Sequence, residues 1–277
     1  MKKKITGFLF CWMVMVGLVA CQDNKSVNVN AESSAMEAEA EELRTADEDE
    51  QPDYRQIKDG LFDDFIYRFM QDSLFQNARI DFPLTYRVDG KVSEVRLEEW
   101  TYDTVYSSVN EYTSIYEGKE VVEQICDSSV RKATIEVVDL KAKRVKLYHF
   151  NRDSAHWIVN EVDEHFFDHD NNHGFFEFYG RFSNDEYYQM KHIQNPFYFK
   201  TYDADNFQEI EGWVASDLWP DYRTYLPNEK LFNVIYDGQR PTSVYRRLYI
   251  GSPSSGMSCS LLFKRARGKW MLVGMEN

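Results

Sequence analysis

The sequence predicts an α+β protein in which one unit of about 113 residues occurs twice in tandem. Three observations predict this class. Identical residues recur at an offset of 113 positions, each repeat opens with an apolar stripe of helical spacing, and each closes with segments of alternating apolar and polar residues. Helices followed by a run of strands are typical of α+β domains, in which neighbouring strands pair in a largely antiparallel sheet.

The repeat is visible as pairs of identical residues, and it predicts one offset without gaps along the whole length. Because tryptophan is rare, the two tryptophan pairs are the strongest indication. The pairs are Phe65–Phe178, Arg68–Arg181, Phe69–Phe182, Asp72–Asp185, Gln76–Gln189, Ile80–Ile193, Pro83–Pro196, Glu98–Glu211, Trp100–Trp213, Phe150–Phe263, Arg152–Arg265 and Trp157–Trp270. We place the first repeat at residues 60–165 and the second at 166–277, each of ordinary domain size.

The first elements of each repeat are predicted helices. Phe62, Phe65 and Phe69 lie three or four positions apart and so share one helical face. Asp72 and Asp185 then stand where an N-cap would begin a second, short helix. Pro83 and Pro196 mark extended segments, and a further helical stretch is expected around each of Trp100 and Trp213.

The second half of each repeat is predicted to be a meander of four strands. Alternation along residues 144–151, where Val145 and Leu147 alternate with Lys146 and Tyr148, favours a sheet with two differently covered faces. Turns are expected at Asp89-Gly90, Asp237-Gly238 and Arg267-Gly268. The predicted strands are Glu111–Tyr116, Lys132–Leu140, Arg144–Asn151, His156–Val162, Leu231–Tyr236, Ser243–Ile250, Met257–Arg265 and Lys269–Met275.

The first 21 residues (1–21) are typical of an export signal. Three lysines precede the apolar segment Ile5–Leu18, which is shorter than the roughly 18–20 residues of a membrane-spanning helix. Leu18-Val19-Ala20-Cys21 follows and resembles the bacterial lipobox, which implies cleavage before Cys21 and acylation of its thiol. We therefore expect an extracytoplasmic protein anchored by lipid on Cys21. Gln22, the residue after Cys21, favours anchoring in the outer membrane. The sequence does not indicate whether the protein lies on the periplasmic or the outer face of that membrane.

Residues 22–59 are predicted to be a disordered acidic tether, because few apolar residues accompany many like charges. The whole chain carries a formal net charge of -14. This charge argues against nucleic acid as a partner. The expected partners are the membrane, through the lipid, and an unidentified envelope protein or small ligand.

The segment Phe263–Leu272, with a basic-Gly turn before Trp270, resembles the closing hairpin of nuclear transport factor 2-like domains, and Phe150–Val159 is similar. The chain as a whole also resembles a family of uncharacterised lipoproteins of Bacteroides-type bacteria that pair a lipobox and acidic tether with two such domains. The resemblance implies a cone-shaped sheet wrapped around the first helix of each repeat. It implies no catalytic residues, because this fold serves isomerases, dehydratases, binders and assembly modules alike.

A histidine-rich segment joins the repeats. Carboxylates and histidines at such spacings can ligate zinc if the stretch is helical, whereas the neighbouring asparagines and glycine favour a solvated linker. We predict no metal site, and the weak candidates are His165, His169 and His173, with Asp168 and Asp170.

The cavity candidates are residues that could face the interior of either cone: Tyr67, Arg68, Asp72, His149, Arg181, Asp185 and His192. An Asp or His of this set could act as a general base, but capping explains the two aspartates equally well. No nucleophile–base pair and no glycine-rich phosphate loop is present, so no cofactor and no catalytic residue is predicted. The sequence favours a binding or interaction module, and the alternative is a cavity enzyme or small-ligand receptor that uses one cone.

Two cysteines remain in the mature chain, Cys126 and Cys259, and they are not equivalent in the repeat. Outside the cytoplasm they could form a disulfide, but the sequence does not fix their distance. Two buried free thiols are the favoured alternative.

Overall fold

In a computed structural model of the chain, the structure describes residues 53–105, 111–117, 129–223, 225–236, 243–252 and 256–277. The predicted signal peptide, Cys21, most of the predicted tether, Cys126 and the Asp237-Gly238 turn lie outside these residues. Asp53–Asn277 forms one compact unit. It has the predicted α+β architecture, with short helices and two six-stranded sheets.

The elements of the first repeat follow the predicted order, and a 3₁₀ turn at Leu97–Glu99 precedes Trp100. Asp89 and Gly90 form the turn between the first two strands, with φ of 47° and 80°, the left-handed values of a tight hairpin. The elements are α1 (Phe62–Gln71), α2 (Ser73–Ala78), β1 (Ile80–Val88), β2 (Lys91–Val95), β3 (Tyr112–Tyr116), β4 (Lys132–Asp139), β5 (Arg144–Asp153) and β6 (His156–Phe166).

The second repeat contains the same elements and one additional short helix, Trp219–Tyr222, after its 3₁₀ turn at Ser216–Leu218. A further 3₁₀ turn, Phe167–His169, lies between the repeats. The elements are α3 (His173–Phe182), α4 (Glu186–Lys191), β7 (Ile193–Asp203), β8 (Gln208–Val214), α5 (Trp219–Tyr222), β9 (Lys230–Tyr236), β10 (Tyr245–Gly251), β11 (Ser258–Ala266) and β12 (Lys269–Glu276).

The two sheets have matching strand orders, β2-β1-β6-β5-β4-β9 and β8-β7-β12-β11-β10-β3. Each contains one parallel pair, β1 with β6 and β7 with β12, so the sheets are mixed although most of their strand pairs are antiparallel. The last strand of each repeat returns beside the first and runs in the same direction. The meander strands that precede it pair antiparallel, as predicted.

The third strand of each repeat pairs in the sheet of the other repeat. β3 pairs with β10, and β9 pairs with β4. The two exchanged strands meet where Thr113 Oγ1 accepts a hydrogen bond from Phe232 N (2.7 Å) and donates one to Phe232 O (2.9 Å). Each sheet therefore contains one strand from the other repeat. The boundary predicted after residue 165 separates the repeats in sequence, but both sheets contain strands from either side of it.

The offset of 113 holds for the helices, for β1 and for the closing hairpins, but not between them. In the first sheet Leu84 pairs with Val95, whereas Phe197 pairs with Val214, so the second hairpin is six residues longer. The pairing of Trp100 with Trp213 was wrong for this reason. Trp213 lies on β8 and is 66% exposed, and no helix surrounds it.

The true counterpart of Trp100 is Trp219, at an offset of 119. Trp100 Nε1 donates to Gln76 Oε1 (3.0 Å), and Trp219 Nε1 donates to Gln189 Oε1 (3.0 Å). Gln76 and Gln189 are themselves 113 positions apart. A shorter connection before β10 than before β4 then restores the original offset.

Each sheet is packed on the first helix of its repeat through aromatic rings. Phe62 and Phe65 contact the ring of Phe150 at centroid distances of 5.2 and 5.7 Å, both edge to face. Phe175 contacts Phe263 in the same way at 5.5 Å. Burial of each such side chain contributes roughly 1.5–3 kcal/mol. Most of the aromatic residues in the described part of the helices and central strands thus form the two cores.

The end of the predicted tether is packed rather than disordered. The Asp59 carboxylate forms an ion pair with Arg79 (3.2 Å) and accepts a hydrogen bond from Trp157 N (2.7 Å), and its side chain is 3% exposed. Arg152 donates to Asp59 O (2.8 Å). These partners lie far away in sequence, which is why composition alone placed the boundary too late.

Candidate functional site

A buried glutamine in each repeat fixes the segment that covers its sheet. In the first repeat, Gln76 Oε1 accepts from Trp100 Nε1 and from Asp103 N, both at 3.0 Å. Gln76 Nε2 donates to Asp103 O (2.7 Å) and to Phe69 O (3.1 Å). Gln76 has no exposed surface. Its four hydrogen bonds use the whole capacity of the amide, and they hold residues 100–103 above the strands.

The segment held by Gln76 brings Asp103 to the sheet, where it accepts three hydrogen bonds. The donors are Lys146 Nζ (2.8 Å), Val105 N (2.8 Å) and the hydroxyl of Tyr148. Lys146 and Tyr148 alternate with Leu147 on β5 and so lie on the same face as Phe150. The strand and the covering segment therefore meet through one carboxylate.

A pocket opens beside this carboxylate, which we call the first pocket. Its volume is about 380 Å³, within the roughly 300–1,000 Å³ of small-molecule sites. The rings of Tyr86, Trp100 and Tyr102 line it together with Asp103 and Lys146. The wall thus combines aromatic surface with one oppositely charged pair and a further carboxylate, that of Glu99.

The charges of Asp103 and Lys146 compensate each other. Burial alone would raise the pKa of Asp103, but the charge and hydrogen bond of Lys146 and the hydroxyl of Tyr148 lower it below its ordinary value. Burial raises the pKa of Tyr148, and the neighbouring Asp103 carboxylate raises it further. Asp103 is therefore an ionised carboxylate and Tyr148 a neutral donor across the ordinary pH range.

This arrangement can orient a ligand, but it is poorly suited to proton transfer. A general base works best when its pKa lies near the working pH and its lone pair reaches the substrate. Asp103 has a lowered pKa, and three donors already occupy its oxygens. The chemistry of the first pocket is that of a binding site.

Four residues of this site have apolar or aromatic counterparts in the second repeat, where the ion pair beside the tryptophan is instead Arg223–Glu186 (2.7 Å). Tyr86, Lys146 and Tyr148 correspond to Phe199, Cys259 and Leu261 at the offset of 113, and Asp103 corresponds to Tyr222 at 119. The rings of Phe199 and Tyr222 are in contact at 4.8 Å, and Cys259 and Leu261 are buried. Burial raises the pKa of the Cys259 thiol to about 12. Cys259 is a buried thiol, while the other cysteine of the predicted alternative, Cys126, lies outside the described residues.

Four of the predicted cavity residues belong to helix ends and not to a cavity. Asp72 caps α2, accepting from Leu74 N and Phe75 N at 3.0 Å each. Asp185 caps α4 through Tyr188 N (2.9 Å) and pairs with Arg181 at 3.6 Å. The structure thus favours capping for both aspartates. The fourth residue, Arg68, lies over the ring of Phe75 at 4.6 Å.

The other three predicted cavity residues are also elsewhere. Tyr67 is 63% exposed. His192 stacks on the ring of Tyr188 at 3.8 Å and contacts Tyr188 O through Nδ1. His149 lies on the opposite face of β5 from Phe150, 3.1 Å from Thr134 Oγ1, and burial lowers its pKa. The expectation that these residues face a cone was wrong, because helix periodicity and strand alternation leave the direction of the face open.

The histidines of the segment that joins the repeats have different surroundings in the structure. His165 is buried and its ring lies 6.3 Å from that of His169, while His173 Nδ1 contacts the carbonyl of Asp170 (2.9 Å). His169 is exposed beside Asp168. Within the described part of the chain, no three His, Cys, Asp or Glu side chains form a group that could hold a metal ion.

The residues of the first pocket were missed in the sequence. Asp103 follows a conspicuous tryptophan but has no motif, and Lys146 and Tyr148 resemble ordinary strand residues. Positions at which the repeats differ indicate this site, whereas identical positions do not. A lysine and a tyrosine on β5 occupy the positions at which β11 has a cysteine and a leucine.

The comparisons with known proteins agree with this architecture. Residues 40–277 match the family model described as a domain of unknown function, DUF4348. The chain belongs to the DUF4348 family. No curated protein matches it.

This DUF4348 chain is also similar to a solved structure, an NTF2-like protein from Bacteroides fragilis. The TM-score is 0.71 and the identity 29%, covering 78% of this chain and 95% of the other. The predicted nuclear transport factor 2-like fold is thereby confirmed. Among the described residues, no helix has the length and apolar character needed to cross a membrane.

Proposed function

We propose that this chain is a lipid-anchored extracytoplasmic binding module whose first pocket takes a small ligand. One observation carries the proposal: the first repeat has an open pocket around the Asp103–Lys146 pair, where the second repeat has packed rings and apolar side chains. A fold that needs no polar group at these positions in one repeat does not require them in the other. The pocket is therefore better explained by binding than by folding.

The chemistry of the first pocket indicates the kind of ligand. The Asp103–Lys146 pair offers both acceptor and donor atoms without an excess of charge, and Tyr86 and Trp100 offer aromatic surface. A neutral, flat molecule with a hydroxyl or amide group fits this combination, since its polar group can contact the ion pair while its ring packs on the aromatic wall. The compensated Asp103 favours a receptor over an enzyme.

Binding is tested by titrating indole and benzyl alcohol into the mature chain and recording ligand-observed NMR and tryptophan fluorescence. We expect saturable binding that is weakened about tenfold by Lys146→Met, which removes a charged hydrogen-bond donor. The matched control is Tyr222→Phe in the second repeat, which should leave binding unchanged. Equal binding by the Lys146→Met chain, or none by the natural chain, would contradict the proposal.

The anchoring part of the proposal rests on Leu18-Val19-Ala20-Cys21 after a short apolar segment. Several acyl chains on one cysteine hold a protein on a bilayer, whereas a single chain gives marginal binding. In a bacterial host, the natural chain should fractionate with membranes and its mature N-terminal peptide should carry lipid by mass spectrometry. Cys21→Ser should remove both properties. A Cys21→Ser chain that still carries the lipid modification would exclude this anchor.

A further inference from the structure

A second depression lies outside the first pocket and shares no lining residue with it. Its volume is about 750 Å³, and it lies where the end of α2, the start of β1 and the β5–β6 hairpin meet. We call it the amide groove after the three asparagines in its lining. The polar lining residues are Arg55, Asn77, Arg79, Asp81, Asn151, Asp153, His156 and Asn160.

The amide side chains of the groove differ from the polar groups of the first pocket in that they lack protein partners among the described residues. Within the described residues, the side chains of Asn77, Asn151 and Asn160 form no hydrogen bond, and neither does that of Asp81. His156 Nε2 is buried and has no partner in the same part of the chain. Amide groups gathered in one concavity without internal partners remain free to bind a ligand.

The second repeat again provides an internal control. At the offset of 113, Asn77 corresponds to Met190, Asn151 to Lys264 and Asn160 to Val273. The equivalent backbone is thus built without amides. The amides of the groove are therefore not needed for the NTF2-like fold, and a different role has to explain them.

The charged residues of the groove indicate which class of ligand it can bind. Asp81 and Asp153 are both in the lining, and the only unpaired lining cation in the described chain is Arg55, since Arg79 is paired with Asp59. This balance disfavours phosphates and carboxylates. Amide side chains both donate and accept hydrogen bonds, as hydroxyl groups do. Phe82 and Ile158 add apolar surface at the wall.

We propose that the amide groove binds a neutral polyhydroxylated molecule, a saccharide or polyol, through Asn77, Asn151 and Asn160. The site is independent of the first pocket and does not rest on the function proposed for it. Its volume suits a molecule of more than one ring.

The test uses glucose, N-acetylglucosamine, cellobiose and inositol as neutral probes, with glucose 6-phosphate as the charged counterpart. Binding to the mature chain is measured by saturation-transfer NMR and calorimetry. The variants Asn77→Met and Asn160→Val introduce the residues that the second repeat has at these positions, so the fold should accept them. Met190→Ala in the second repeat is the control, and Lys146→Met tests independence from the first pocket.

We expect at least one neutral probe to bind saturably, each asparagine variant to weaken it about three- to tenfold, and the double variant more than tenfold. Met190→Ala and Lys146→Met should leave the affinity unchanged. A cyclic sugar that binds where inositol does not would identify the ligand as a saccharide, and the reverse would identify a polyol. Absence of binding by every neutral probe, tighter binding of glucose 6-phosphate, or binding insensitive to the double variant would overturn the proposal.

Discussion

The two repeats share a framework but differ in what they place on it. Both clamp a tryptophan with a buried glutamine, both cap their second helix with aspartate, and both pack a first-helix phenylalanine on the closing hairpin. Only in the first repeat do a lysine, an aspartate and a tyrosine lie beside the hydrogen-bonded glutamine and tryptophan. The shared residues therefore identify what the fold needs, and the differing residues identify where to look for function.

Substitutions in the two hydrophobic cores should have the largest effect on stability. Phe69 and Phe182 are fully buried counterparts, and replacing either by alanine should lower the free energy of unfolding by about 3–5 kcal/mol, through lost burial and a cavity. Because β3 and β9 are exchanged between the sheets, both variants should lower one common transition. Calorimetric unfolding checks this. Two transitions, of which each variant moves only one, would show that the repeats unfold separately.

A smaller effect is expected at Glu136, for which the second repeat has Tyr249. Glu136 is buried beside Asp170 and accepts from Asn233 (3.0 Å), and burial followed by the Asp170 charge raises its pKa to about 8. A pKa above the unfolded value means that the folded state holds its proton longer. The stability contribution is therefore complete below about pH 4.5 and is lost as the pH rises through about 8.

Glu136→Gln keeps the shape and removes this titration. Relative to the natural chain, it should be more stable at pH 8 by on the order of 2 kcal/mol, with little difference at pH 4.5. Urea unfolding at the two pH values measures the difference, with the exposed Glu177→Gln as control. The same difference at both pH values would contradict the buried neutral carboxyl.

The smallest predicted effect distinguishes the two helix caps. Asp72 accepts from two backbone N–H groups and Asp185 from one. Asp72→Ala should therefore cost about 1–2 kcal/mol of stability and Asp185→Ala about 0.5–1 kcal/mol. Urea unfolding of the two variants side by side is sufficient, and an equal or reversed order would show that the number of accepted bonds does not set the cost.

Much of the framework could be predicted from the sequence, because local rules determine it. Helical spacing placed α1 at Phe62 and its counterpart at Phe175, and the aspartate caps and the Asp89-Gly90 turn follow from short-range hydrogen bonding and backbone geometry. The eight predicted strands of the meanders were all found within a few residues. These features depend on neighbours in sequence.

What could not be predicted depends on contacts between distant residues. The six-residue extension of the β7–β8 hairpin made Trp213 coincide with Trp100 in sequence, while the structural counterpart is Trp219. The exchange of β3 and β9 could not be predicted, because alternating burial, as at Thr113 and Ile115 of β3, is typical of any half-buried strand and does not indicate which sheet the strand joins. Asp103 and Lys146 lie 43 positions apart in sequence. They come into contact because Gln76 holds the backbone of Asp103 by hydrogen bonds.

We infer that the pocket beside Trp100 and Asp103 is open to a ligand, whereas the counterpart position beside Trp219 is filled by the packed rings of Phe199 and Tyr222. Hydrogen exchange of the full mature chain, with and without saturating indole, tests it most directly. On addition of indole, we expect slower exchange of the backbone amide hydrogens at residues 100–105 and 146–148, with no change at residues 219–223 and 259–261. Protection of the second-repeat segments, or of both repeats equally, would contradict it.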